Sequence, residues 1–236
     1  MTDEQREQPV KKEPLVNKDI LRATFTHPTF LSHLTQLMHH AHLNLAEGGF
    51  SVQNIDGQPV ISDLKKSRRM GSFEDAKESL STSVGVWEVV GVMENLRTGE
   101  IITAETDVIK PNIILTVHSH PDRGWKSSFP EQVLSPSETD LDLWEKIKIT
   151  VKNPYLIEGI IVRKGNIGLL LLFQEDPTKP QANYYQGWDE DQGVNELLRL
   201  MRESGIRYEI LRFDLKQKTF SNKELEKLKT FEVEVK

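Results

Sequence analysis

Asn112-Ile-Ile-Leu-Thr-Val-His-Ser-His-Pro121 is an apolar, β-rich run that ends on two histidines separated by one serine. Isoleucine, valine and threonine favour the pleated, half-buried surface of a strand, so 112–117 is expected to be one. Side chains alternate along a strand, so His118 and His120 project from the same face and can grip one metal ion. Asp140 follows Pro136-Ser137 at the start of an expected helix over 139–150. Ser137 is placed to cap that helix and to hold the carboxylate toward the strand end. Two imidazoles and a carboxylate match the three protein ligands of a catalytic zinc ion, whose fourth position stays open. A His-x-His pair alone also reads as a turn at a strand terminus; the later Pro-Ser-x-x-Asp is what favours a metal.

Upstream, Phe30, Leu34, Leu37, Met38, Ala41 and Leu45 recur at three- and four-residue steps, the mark of one buried helical stripe. Gly48-Gly49 stops it, and residues 50–62 alternate around Asp56-Gly57, a short hairpin signal. Residues 64–72 read as a basic loop, 73–80 as a short helix, and 84–93 and 101–108 as two β-rich runs. Downstream of the helix, 155–162 and 167–173 are expected as two buried strands around Lys164-Gly165-Asn166. Residues 175–190 fit a linker or long surface loop. A small second unit is expected after it: a helix over 194–201, a strand over 206–213 and a capped helix from Ser221. The expected division is a flexible tail at 1–17, a main domain at 18–174, and a linker with a C-terminal α/β extension at 175–236.

Bulk composition narrows the chemistry. The 236 residues contain no cysteine, so disulfides, thiol nucleophiles and cysteine metal ligands are all excluded. A transition metal would have to rest on His, Asp and Glu. The formal net charge of −6 argues against a phosphate-gripping face, and nucleic acid is not an expected partner. No apolar run is long enough to span a membrane and the N-terminus lacks a secretory layout, so the expected location is the cytoplasm, with no membrane partner. His39, His40 and His42 fan around their helix instead of sitting at i and i+4, so with His27 and His33 they are read as exposed or partly packed. The basic run at Lys65-Lys66 and Arg68-Arg69 is read as a solvated loop.

His118, Ser119, His120, Pro121, Ser137 and Asp140 together resemble the JAB/MPN metalloprotease family, also called JAMM, whose signature is a glutamate, then His-x-His-Pro, then Ser-x-x-Asp. The resemblance covers roughly residues 28–173. It implies an α+β fold with a mixed sheet flanked by helices, similar to cytidine deaminases. It also implies a zinc-dependent peptidase or isopeptidase, with a protein substrate such as a ubiquitin-like conjugate. The interval from Pro121 to Thr139 is nineteen residues, longer than the family's usual one, so an insertion is expected around 122–135. Glu131 within it is a rival third ligand, and Trp125 and Phe129 read equally as a substrate-facing flap or as a loop packed on the body.

Family members take their general base from a glutamate near the first strand. Glu47, after the amphipathic helix and before Gly48-Gly49, fits that order; Glu88, in Trp87-Glu-Val-Val-Gly, is the rival and the closer match to the RadC-like branch. Ser137 would support the oxyanion. Two other classes stay open: a non-catalytic MPN scaffold that binds a partner protein, and a RadC-like role in DNA metabolism.

Overall fold

The computed structural model describes residues 16–44, 46–66, 87–88, 91–95, 100–104, 108–110, 112–121, 134–176, 179 and 193–233. The expected helix at 73–80, Glu131, Trp125 and Phe129 lie outside them. Helix α1 (Lys18–Thr26) starts where the Asn17 side chain accepts the backbone N–H groups of Asp19 and Ile20 at 3.0 and 2.9 Å, and so satisfies two donors that have no partner in the first turn. Helix α2 (Pro28–Asn44) opens on a proline, which has no N–H to leave unpaired, and buries Phe30, Leu34, Leu37, Met38 and Ala41 as the stripe predicts.

Strands β1 (Gly48–Ile55) and β2 (Gln58–Ile61) form the expected hairpin, with Asp56 and Gly57 both at positive φ, as a two-residue turn of matching twist requires. The two-residue β3 (Lys65–Lys66) pairs with Gly48-Gly49. Strands β4 (Trp87–Glu88) and β7 (Val108–Ile109) make one two-stranded ladder, and β5 (Gly91–Asn95) and β6 (Glu100–Ala104) make another. There follow β8 (Ile113–Ser119), α3 (Glu138–Thr150), β9 (Ile157–Lys164), β10 (Ile167–Glu175), α4 (Gly193–Glu203), β11 (Ile206–Asp214), β12 (Thr219–Phe220) and α5 (Asn222–Glu226), which runs into a 3-10 turn at Lys227–Phe231.

The main sheet has the order β12-β11-β10-β9-β8-β1-β2, with β3 added to β1. Its pairs are antiparallel except β8 with β9, which run parallel. A parallel pair needs a crossover, and α3 lies in it. The start of that helix is therefore carried back toward the end of β8, where the histidines are.

Alternation along β10 shows how both faces are covered. Leu170 and Leu172 join a core with Leu21 and Phe25 of α1, Leu34 and Met38 of α2, and Phe231. Leu169, Leu171 and Phe173 face the other way, onto Leu141, Trp144 and Ile147 of α3 and Leu197 and Met201 of α4. Each fully buried leucine or phenylalanine contributes roughly 1.5–3 kcal/mol, so a strand with two apolar faces is among the most strongly held parts of the fold. The result is a mixed α+β fold, a mixed sheet with helices on both sides.

The segment expected as a C-terminal appendage is the continuation of this sheet. Strand β11 pairs with β10 from Ile206 to Asp214 without a break, and Leu211, Phe213 and Phe231 sit in the same core as α1 and α2. A polar stretch before it suggested separation, but Leu211 and Phe213 of this strand are buried by joining the sheet. The outer rim of β11 is tied by side chains: Glu224 Oε2 accepts the Arg212 N–H at 2.9 Å, Lys227 Nζ donates to the Ile210 carbonyl at 2.7 Å, and the Arg207 guanidinium donates to the carbonyls of Thr230 and Glu232 at 3.4 and 3.1 Å. No helix among the described residues is long and apolar enough to cross a membrane.

Candidate metal centre

Strand β8 delivers Thr116, His118 and, one step past its end, His120 to the face covered by α3. Both histidines are 4% exposed, as is Asp140. Asp140 is held by the start of α3, where Ser137 caps the helix. The Ser137 Oγ accepts the Asp140 N–H at 3.2 Å, and in return Asp140 Oδ2 accepts both the N–H and the hydroxyl of Ser137 at 2.7 Å. This reciprocal box fixes the carboxylate before any ligand arrives.

The three expected ligands converge. His118 Nε2 is 3.1 Å from His120 Nε2 and 3.5 Å from Asp140 Oδ1, and His120 Nε2 is 3.3 Å from Asp140 Oδ2. A tetrahedral zinc ion with bonds of ~2.0–2.1 Å separates its ligand atoms by ~3.3 Å, and each of these contacts is near that spacing, Asp140 meeting the two rings through different oxygens. Among the described residues this His-His-Asp set is the group placed to hold a metal ion. Its donor chemistry, two imidazole nitrogens and a carboxylate with no sulfur, is compatible with zinc.

Without an ion the groups hold one another by charge. Burial pulls His118 down, but the Asp140 charge and hydrogen bonds to Asp140 and Glu158 outweigh it and hold the imidazole well above its ordinary range. His120 is likewise raised, burial again being overcome by Asp140. Burial pushes Asp140 up, yet the two histidines win and hold it well below the usual carboxylate range.

Glu47 reaches this site through sheet register. In the antiparallel β1/β8 pair Gly49 lies opposite His118 and Phe50 opposite Val117, and the same register carried outward sets Glu47 opposite His120. Its Oε2 is shut off from solvent, and burial raises the carboxyl while His120 and His118 pull it back. The neighbouring residue 48 has no side chain, which lets β3 and α2 close on β1: a Cβ there would lie 2.7 Å from the Lys65 carbonyl and 2.9 Å from Leu37 Cδ2. On the sheet's other face Ser119 Oγ accepts the Gly48 N–H at 3.2 Å and ties β1 to β8. Glu88 stands in the separate β4/β7 ladder, outside the sheet that carries the histidines.

Glu158 was not foreseen from sequence. Its Oε1 is 2.8 Å from His118 Nδ1, its Oε2 accepts the Thr116 hydroxyl, and it is 3% exposed. The available signal was a lone acid in the otherwise apolar run from Leu156 to Val162.

The fold and site thus define an α+β protein with a buried His-His-Asp group able to hold a divalent cation. The chain matches no family model, no curated protein and no solved structure.

Proposed function

We propose that this chain is a zinc-dependent hydrolase of the JAB/MPN type that cuts a peptide or isopeptide bond in a protein substrate, with ubiquitin-like conjugates the first class to test. The observation that supports this best is the meeting of two buried ring nitrogens and a buried carboxylate at 3.1–3.5 Å from one another. His118, His120 and Asp140 would hold the ion. Zinc bound there supplies Lewis-acid polarisation of the scissile carbonyl and makes an attacking water more acidic.

The remaining steps belong to the chain. Glu47, half-buried with one carboxylate oxygen shut off from solvent and its carboxyl raised, suits a group that takes a proton from water and passes it to the leaving amine. Ser137 spends its hydroxyl proton on Asp140 Oδ2, so its first role is to hold the ligand. An oxyanion role would require the hydroxyl to turn away from that bond.

Zinc content of purified wild type and His120→Ala tests the metal: equal content in both sinks the proposal. Glu47→Gln should keep its zinc and lose at least ~10²-fold in hydrolysis of ubiquitin-like fusions. Unchanged turnover removes Glu47 as the base. Stoichiometric zinc with no cleavage across a broad set of conjugates would favour the scaffold reading instead.

A further inference from the structure

We propose that Glu158 is a positioning residue for the metal: it takes the Nδ1–H of His118 and so commits the Nε2 lone pair of that ring to the ion. The inference rests on the metal reading above. An ionised carboxylate only accepts, so at 2.8 Å the His118 Nδ1 must be the donor. The neutral ring then has its free lone pair on Nε2, the atom that faces His120 and Asp140. The carboxylate is itself fixed. Thr116 donates to its other oxygen, and Thr116 and Glu158 are direct partners in the parallel β8/β9 register, so ring and carboxylate stand side by side on one face of the sheet.

Burying a carboxylate is unfavourable unless it is paired, and here Thr116 and His118 pair both oxygens. Asp140 and Glu158 together carry two negative charges, which would balance a divalent cation between neutral imidazoles.

The test uses the full chain as wild type, Glu158→Gln and Thr116→Val. Zinc affinity is measured by chelator competition at alkaline pH, where fewest protons compete with the ion, and long-range 1H–15N spectra report the histidine nitrogens of the zinc-loaded protein. Wild type should bind zinc stoichiometrically through Nε2, with a strongly downfield Nδ1–H on His118. Glu158→Gln should bind ~10–100-fold more weakly, with that signal moved upfield. Thr116→Val, which leaves the acid in place but frees its second oxygen, should weaken binding less and in the same direction; it decides the matter if the glutamine variant does not fold. Affinity equal to wild type in the folded variants, or zinc on Nδ1, overturns the role of Glu158 alone. A wild type that binds no zinc overturns the metal reading and this inference together.

Discussion

Zinc binding should strengthen steeply as pH rises through neutrality. The perturbation is pH alone, and its size follows from the proton that the ion must displace. His118 is held well above the ordinary imidazole range because Asp140 and Glu158 outweigh its burial, and His120 is raised by Asp140. Both rings need an unprotonated Nε2 to bind zinc, and those nitrogens are 3.1 Å apart, close enough to share one proton between them. Displacing one proton makes affinity rise tenfold, or about 1.4 kcal/mol, per pH unit while the pair is still protonated. Over two pH units within that range the gain is then ~100-fold, steeper still in acid where both rings are charged. Chelator competition across this range gives the slope, and calorimetry in two buffers of different ionisation heat counts the protons released. A flat affinity with no proton release would refute the reasoning. The metal-free protein has its own signature. Asp140 is depressed, so its contribution to stability is present above the unfolded carboxylate pKa and lost as pH falls through its folded value. His118 is raised, so its contribution is present below the unfolded imidazole pKa and lost as pH climbs past its folded value.

Ser137→Ala removes both the cap of α3 and a donor to Asp140. It should cost ~0.5–2 kcal/mol in urea unfolding of the metal-free protein and weaken zinc binding as well; stability and affinity both at wild-type values would contradict the capping-box account. Gly48→Ala would place a methyl 2.7 Å from the Lys65 carbonyl, so β1 or β3 must shift. A loss of ~1–3 kcal/mol is expected, and an unchanged urea midpoint would show that the strands yield freely. Trp144→Ala empties the space against Phe173 and leaves the Leu156 carbonyl without its indole donor. It should cost ~3–5 kcal/mol, and a smaller loss would mean that α3 settles onto the sheet without it.

Much of this arrangement was legible because the deciding signals are local. The helical stripe from Phe30 to Ala41, the Asp56-Gly57 turn, the strand running into His118 and the cap at Ser137 each need only a few neighbouring residues, and each lies where its pattern put it. Helix α1 was not read, since Lys18–Thr26 is short and part of its apolar face is met by Phe220 and Phe231, about 200 residues away. The same distance hid the continuity of the C-terminal strand with β10, because nothing in the sequence around Ile206 says which strand it will meet. Glu47 and Glu88 could not be ranked firmly by spacing. What separates them is the β1/β8 register, a contact between residues about seventy positions apart. Glu158 was missed for a related reason: a lone acid in an apolar run gains meaning only once the parallel strand beside it is known to carry Thr116 and His118.

The tied rim of β11 limits how other proteins can meet this one. A free strand edge is a row of unsatisfied donors and acceptors that invites a foreign strand, and here Glu224 and Lys227 already occupy the Arg212 N–H and the Ile210 carbonyl, while Arg207 ties the strand to the carbonyls of Thr230 and Glu232. At the opposite rim β2 spans only Gln58–Ile61 and carries Pro59, which has no N–H to offer. Sheet extension is thus discouraged at both ends, which guards a cysteine-free chain with no covalent staples against edge-to-edge aggregation. A visiting polypeptide is steered away from strand addition along these rims, toward the helical faces or the loops that border His120 and Asp140.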